Sequence, residues 1–189
     1  MMFLTRPCAV PPGASLARYV VFGAYVDCYT THLPHTVSQC EFVEAFYTTP
    51  VFKIERWLLS RFLARPSTDA QAGQLARGES DAFSAWTVEA REDRQLLMGD
   101  FSGRTKSWLM VEPAGDGGTG GTRLYFGSAV VPVVRRKTGK PALGMMFRAL
   151  LGFHKLYSRV LLGAARARLA RQVPHRTTDA ARQEQKGDA

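Results

Sequence analysis

"GFHKLYSRVLLGAARARLARQ", residues 152–172, decides how the rest of the chain is read. Wound at about 100° per residue, it separates into two faces. Leu150, Phe153, Tyr157, Leu161 and Ala164 gather on one side, and Leu143, Met146 and Phe147 continue that stripe towards the N-terminus. Arg148, Lys155, Arg159 and Arg166 line the opposite side, and His154 lies near the edge of the apolar stripe. The pattern predicts one continuous helix over residues 142–172. Its apolar face needs a surface to cover, and the preceding segment supplies one.

That segment alternates in the manner of strands. "AFSAWTVEA" (82–90), "RQLLMGDFS" (94–102), "TKSWLMVEP" (105–113) and "TRLYFGSAVVPVV" (122–134) are separated by short breaks. Parallel crossovers need a dozen or more residues, so these connections imply an antiparallel meander. A fifth run, "RYVVFGAYVDCY" (18–29), reads as a first strand. Two short helices follow it. One runs within residues 36–47, with Thr36 and Gln39 as a capping box; the other follows Pro50 and carries Phe52, Ile54, Trp57, Leu58 and Phe62 as its apolar positions. Residues 66–80 read as a polar connector, 114–121 as a glycine-rich hairpin turn, and 135–141 as a basic loop.

The expected architecture is therefore α+β: a curved antiparallel β-sheet wrapped around a long C-terminal α-helix, with two short helices after the first strand. Residues 1–17 read as an irregular leader, 18–172 as a single domain and 173–189 as a disordered tail. A chain of 189 residues suffices for one domain with a sizeable core. The formal net charge of +9 favours anionic surfaces without naming a partner. Cys8, Cys28 and Cys40 match no metal or redox spacing and read as reduced structural thiols. No signal peptide and no apolar run of about 18 residues is present, so a cytoplasmic location and no membrane span are expected.

At this point the order of elements resembles the helix-grip fold of the START and birch-pollen-allergen (SRPBCC) superfamily. The segments "SWLMVEP", "TRLYFGSAVVP" and "FHKLYSRVLLGAA" are also similar to a bacterial family of unassigned function, whose members occur alone or fused to NAD(P)-binding reductase domains. The superfamily pattern has about seven strands, two more than the runs above. The resemblance implies a pocket between the sheet and residues 143–164, and a reductase as a possible partner.

Candidate site residues follow from the placement of large and polar side chains along that pocket. Trp86, Trp108, Arg123, Tyr125, Phe147, Leu150, His154 and Tyr157 are the expected ligand-binding set, with Arg123 as an inward anchor for an anionic group. Strand alternation sets Lys106, Trp108 and Met110 on one face and Ser107, Leu109 and Val111 on the other, without saying which faces the helix. Glu55, Glu89, Glu112 and Asp100 default to solvated faces or ion pairs. No GxSxG accompanies Ser158, so a hydrolase triad is not indicated. No His or Cys stands four residues from His154, so no metal site is expected, and no nucleotide motif is present. The basic row reads as a solvated face, because the aromatics that a nucleic-acid reader would interleave lie on the other side. The primary expectation is a protein that encloses a hydrophobic or aromatic small molecule without a cofactor. The alternatives are an interaction module serving a reductase, or a cyclase or dehydratase using His154 and Tyr157 for acid/base work.

Overall fold

The computed structural model describes residues 5–63, 66–115, 120–131 and 145–172, with the side chains of residues 59, 62, 63 and 145–154 outside the description. The elements are β1 (Arg6–Pro7), α1 (Ala17–Val21), β2 (Tyr25–Leu33), α2 (Gln39–Tyr47), α3 (Pro50–Leu63), α4 (Asp69–Arg77), β3 (Ala82–Phe83), β4 (Trp86–Glu92), β5 (Gln95–Asp100), β6 (Thr105–Pro113), β7 (Thr122–Val130) and α5 (Met145–Arg171). The seven strands form one antiparallel sheet in the order β1-β2-β7-β6-β5-β4-β3. The chain is α+β, with a C-terminal helix against an open antiparallel sheet.

Several expectations are corrected. The two strands beyond the five read from sequence are β1 and β3, each of two residues. The run 18–29 is not one strand. Gly23, at φ +70°, reverses the chain between α1 and β2, and the Ala24 N–H donates to the Tyr19 carbonyl at 3.0 Å. The run 82–90 divides at Ser84–Ala85, where Ser84 takes φ +56° and Phe83 pairs with Trp86. The cap of α2 is Ser38 with Glu41, not Thr36 with Gln39. Thr122 Oγ1 holds residues 35–37 extended by accepting from the Val37 N–H (2.8 Å) and donating to the His35 carbonyl (2.9 Å). Ser38 is then the first residue able to cap. Residues 66–80 contain α4, which has its own Thr68–Gln71 capping box and ends at Gly78 in the left-handed conformation.

The helix α5 is continuous through Gly152 and Gly163. Among its described side chains Ser158, Leu161, Leu162, Ala165 and Leu169 are buried, one helical stripe turned from the expected face towards the basic row, with Tyr157 and Ala164 half-buried. Residues 142–144, the basic loop, residues 116–119 of the glycine tract and the tail 173–189 lie outside the described residues. The basic row is not simply solvated. Lys155 Nζ stands 5.9 Å from the Tyr25 ring centre, Arg159 lies 5.8 Å above Tyr29, and Arg166 Nε donates to the His32 carbonyl at 2.9 Å. These contacts bind α5 across strand β2.

Each face of the sheet has its own core. One face presents Tyr29, Leu33, Leu96, Met98, Leu109, Leu124 and Phe126 to helices α2–α5. The other presents Cys28, Leu97, Trp108, Tyr125 and Ala129, covered by Ala14 and Leu16 of the N-terminal segment with Cys8, Val10 and Tyr19 packed beside them. Residues expected to be an irregular leader thus roof the second face. Gly127 admits that roof: a Cβ there would lie 2.5 Å from Leu16 Cδ2 and 3.1 Å from Trp108 Cε3.

Candidate functional site: a cavity on the helix face

The helix-side face changes character along the strands. One cross-strand row is bulky: Tyr29 pairs with Phe126, Phe126 with Leu109, and Leu109 with Leu96. The next row towards the start of β2 is small and polar: Asp27 pairs with Ser128, and Ser128 with Ser107. Close packing requires side-chain volume to fill the space under a helix. Two serines supply little, and a cavity of about 460 Å³ remains between the sheet, α3 and α5, within the usual range for small-molecule sites.

Its walls are mainly apolar. Phe46, Val51, Phe52, Phe126 and Leu161 line it, with Ile54 and Leu58 where α3 reaches solvent. A few polar groups converge on this lining. The Tyr157 hydroxyl on α5 donates to Glu55 Oε2 on α3. Burial pushes the Glu55 carboxyl above the ordinary glutamate range, and the Tyr157 hydrogen bond offsets only part of that rise. The Tyr157 hydroxyl is itself pushed up by burial and by the neighbouring Glu55 charge. Two further atoms, Ser158 Oγ and Trp86 Nε1, are buried and have no hydrogen-bond partner among the described residues. Both residues line the cavity. A buried polar atom without a partner costs about 1–3 kcal/mol, and this wall carries two of them.

The orientation of α3 explains why the sequence did not expose this arrangement. Ile54 and Trp57, read as buried positions, are 63% and 61% exposed. Among the described side chains of α3, Phe52 and Arg56 are buried. Arg56 is drawn inward because its guanidinium donates to Ser67 Oγ (3.0 Å) and Asp69 Oδ1 (2.6 Å), and it stacks on Phe83 with 5.6 Å to the ring centre. That rotation carries Glu55, assigned by default to solvent, into the cavity wall.

Of the expected ligand-binding residues, the structure brings Trp86 and Tyr157 together at the cavity. Trp108, Tyr125 and Arg123 are corrected to the opposite face. Trp108 is fully buried there, its Nε1 donating to Gln95 Oε1 at 2.9 Å. Tyr125 packs on Trp108 and donates to Glu112 Oε2 at 2.8 Å. Arg123 is surface-exposed and ion-paired with Glu112 at 3.4 Å, so it does not reach inward. Phe147, Leu150 and His154 lie on α5, with side chains outside the described residues. Sequence reading missed Glu55, Ser107, Ser128, Phe46 and Phe52. Of these, the alternation that grouped Ser107 with Leu109 and Val111 was the one usable signal, since it set a small residue on an apolar face.

Among the described residues no helix is long and apolar enough to cross a membrane, and no three His, Cys, Asp or Glu side chains gather as a metal site. Compared with known proteins, the chain matches no family model, no curated protein and no solved structure.

Proposed function

We propose that this is a helix-grip protein of the SRPBCC type that holds a neutral hydrophobic or aromatic small molecule in the cavity between its sheet and α3 and α5. The observation that carries the reading is the pair of orphaned polar atoms, Ser158 Oγ and Trp86 Nε1, set in an apolar wall. An apolar body would fill the space beside Phe46, Phe52, Phe126 and Leu161. Polar groups on the ligand, from an alcohol, phenol or ketone, would pair with Trp86 Nε1 and with Ser158 Oγ. The carboxyl of Glu55 disfavours an anionic ligand, and Arg123 is too far round the sheet to compensate one.

A second reading is favoured by the Glu55–Tyr157 contact alone. A raised carboxyl beside a phenol is a pair able to move a proton, as a cyclase or dehydratase requires. In that reading Tyr157 keeps the acid/base role expected of it, beside Glu55. Native mass spectrometry of the protein purified from its own host tests the primary reading. The expected result is a neutral small molecule bound one to one and released on unfolding. Absence of any adduct, together with no saturable binding of 1-naphthol, would exclude it. A bound molecule that differs in mass from the one supplied would favour the enzyme.

A further inference from the structure

No spacing in the sequence pairs the three cysteines, but the fold pairs two. Strand β1 meets β2 in the register Arg6↔Thr30, Pro7↔Tyr29. The next step sets Cys8 opposite Cys28, and the Cys8 N–H donates to the Cys28 carbonyl at 3.0 Å. Residues opposed in this way hold their Cα atoms about 5.5 Å apart, inside the window in which a disulfide closes without backbone movement. Both side chains belong to the second face, with the sulfurs 3.2 Å apart and both thiols reduced. A side-chain rotation that closes roughly 1 Å more makes a bond.

The pair is also reachable. Cys8 and Cys28 line a cleft of about 640 Å³ along the β2 edge, and Lys155 and Arg159 of α5 stand on the same cleft. Cys8 is half-buried and Cys28 buried. The neighbouring Cys28 thiol lowers the Cys8 pKa against the effect of burial, with a smaller contribution from Arg123. Cys8 contact and burial raise that of Cys28. Cys8, the more exposed of the two, is therefore the attacking sulfur and Cys28 the resolving one.

We propose that Cys8 and Cys28 form a redox-active dithiol that exchanges with a small anionic disulfide held in the β2-edge cleft by Lys155 and Arg159. The Cys8 thiolate attacks one sulfur of the disulfide R–S–S–R. That S–S bond breaks, one thiolate R–S⁻ leaves, and Cys8 carries the other half as a mixed disulfide. Cys28 gives its proton to solvent and attacks Cys8 Sγ; the second R–S⁻ leaves and the Cys8–Cys28 bond forms. The dithiol loses two electrons and the small disulfide becomes two thiols. The bond closes the loop that carries Ala14, Leu16 and Tyr19, and so fastens the roof of the Trp108 core.

The test is titration of the folded full-length chain with glutathione disulfide, followed by thiol counting and peptide mapping. Two of the three thiols are expected to disappear, in a Cys8–Cys28 cross-linked peptide, leaving Cys40. Cys28→Ser should instead accumulate glutathione on Cys8, and Cys8→Ser should leave Cys28 unmodified. Three thiols surviving in the wild type, or glutathione on Cys40 in place of the cross-link, would overturn the proposal. Lys155→Glu should slow the reaction with glutathione disulfide and leave that with neutral 2-hydroxyethyl disulfide unchanged. Equal rates with both reagents would overturn the anionic assignment.

Discussion

Trp86 and Trp108 lie on strands of the same sheet and meet opposite fates. Trp108 is sealed on the second face, its ring against Tyr125 and its Nε1 bonded to Gln95. Gln95 also ties down the roof: its Oε1 accepts from the Ser15 N–H at 2.8 Å, and its Nε2 donates to the Gly13 carbonyl at 3.2 Å. Trp86 stands on the helix face, half-buried, with its Nε1 enclosed and without a hydrogen-bond partner among the described residues. The same side chain is structural on one face and points into a cavity on the other. What separates the two is not hydrophobicity but whether the polar handle of the indole is satisfied.

The largest effect expected from breaking this comparison is at Trp108. Trp108→Ala should cost about 3–5 kcal/mol in urea unfolding, because it empties a close-packed site. Trp86→Ala should cost clearly less, since that ring already borders space. Equal losses would mean that both faces are solid core. Gln95→Ala comes next, at about 1–3 kcal/mol, because it strands the Trp108 indole N–H and the Ser15 amide in one step. Limited proteolysis within residues 9–24 should accelerate with it.

Much of this fold was legible from the chain. Strand β6 follows its alternating run residue for residue. Of the expected α5 stripe Leu161 is buried, while Tyr157 and Ala164 are half-buried because the helix turns Ser158, Leu162, Ala165 and Leu169 inward. What was hidden has physical causes. The period of α3 is misleading because Arg56, a charged residue, takes an inward place that Ile54 and Trp57 surrender. The N-terminal cover has no periodicity, being held by scattered contacts: Val10, Ala14, Leu16 and Tyr19 against the core and the Gln95 bonds to Gly13 and Ser15. The cavity arises from what Ser107 and Ser128 lack in volume, and two serines on separate strands announce nothing until β6 and β7 pair.

A subtler difference is expected with pH. A carboxyl whose folded pKa is raised binds its proton more tightly in the folded protein. The stability linked to Glu55 is therefore fully present below the ordinary glutamate value of about 4.3 and lost as pH rises through the raised value. Thermal unfolding followed upwards from about pH 4 should show that decline in the wild type and a flatter profile in Glu55→Gln. A decline of equal depth in the variant would place its source elsewhere.

The smallest effect on stability is expected at Ser158. Ser158→Ala removes an unpartnered hydroxyl, so unfolding should change by no more than about 0.5 kcal/mol or become slightly more favourable to the fold. Retention of the bound molecule should nevertheless weaken. A large loss of stability would mean that the hydroxyl is already satisfied.

The comparison is tested most directly by the indole N–H signals in a ¹H–¹⁵N spectrum of the protein titrated with 1-naphthol, assigned through single Trp→Phe variants. The Trp86 signal should move saturably as its Nε1 gains an acceptor, while the Trp108 signal, fixed by Gln95, stays in place. A Trp86 signal that does not move, or one that moves together with Trp108, would contradict a cavity built on the helix face alone.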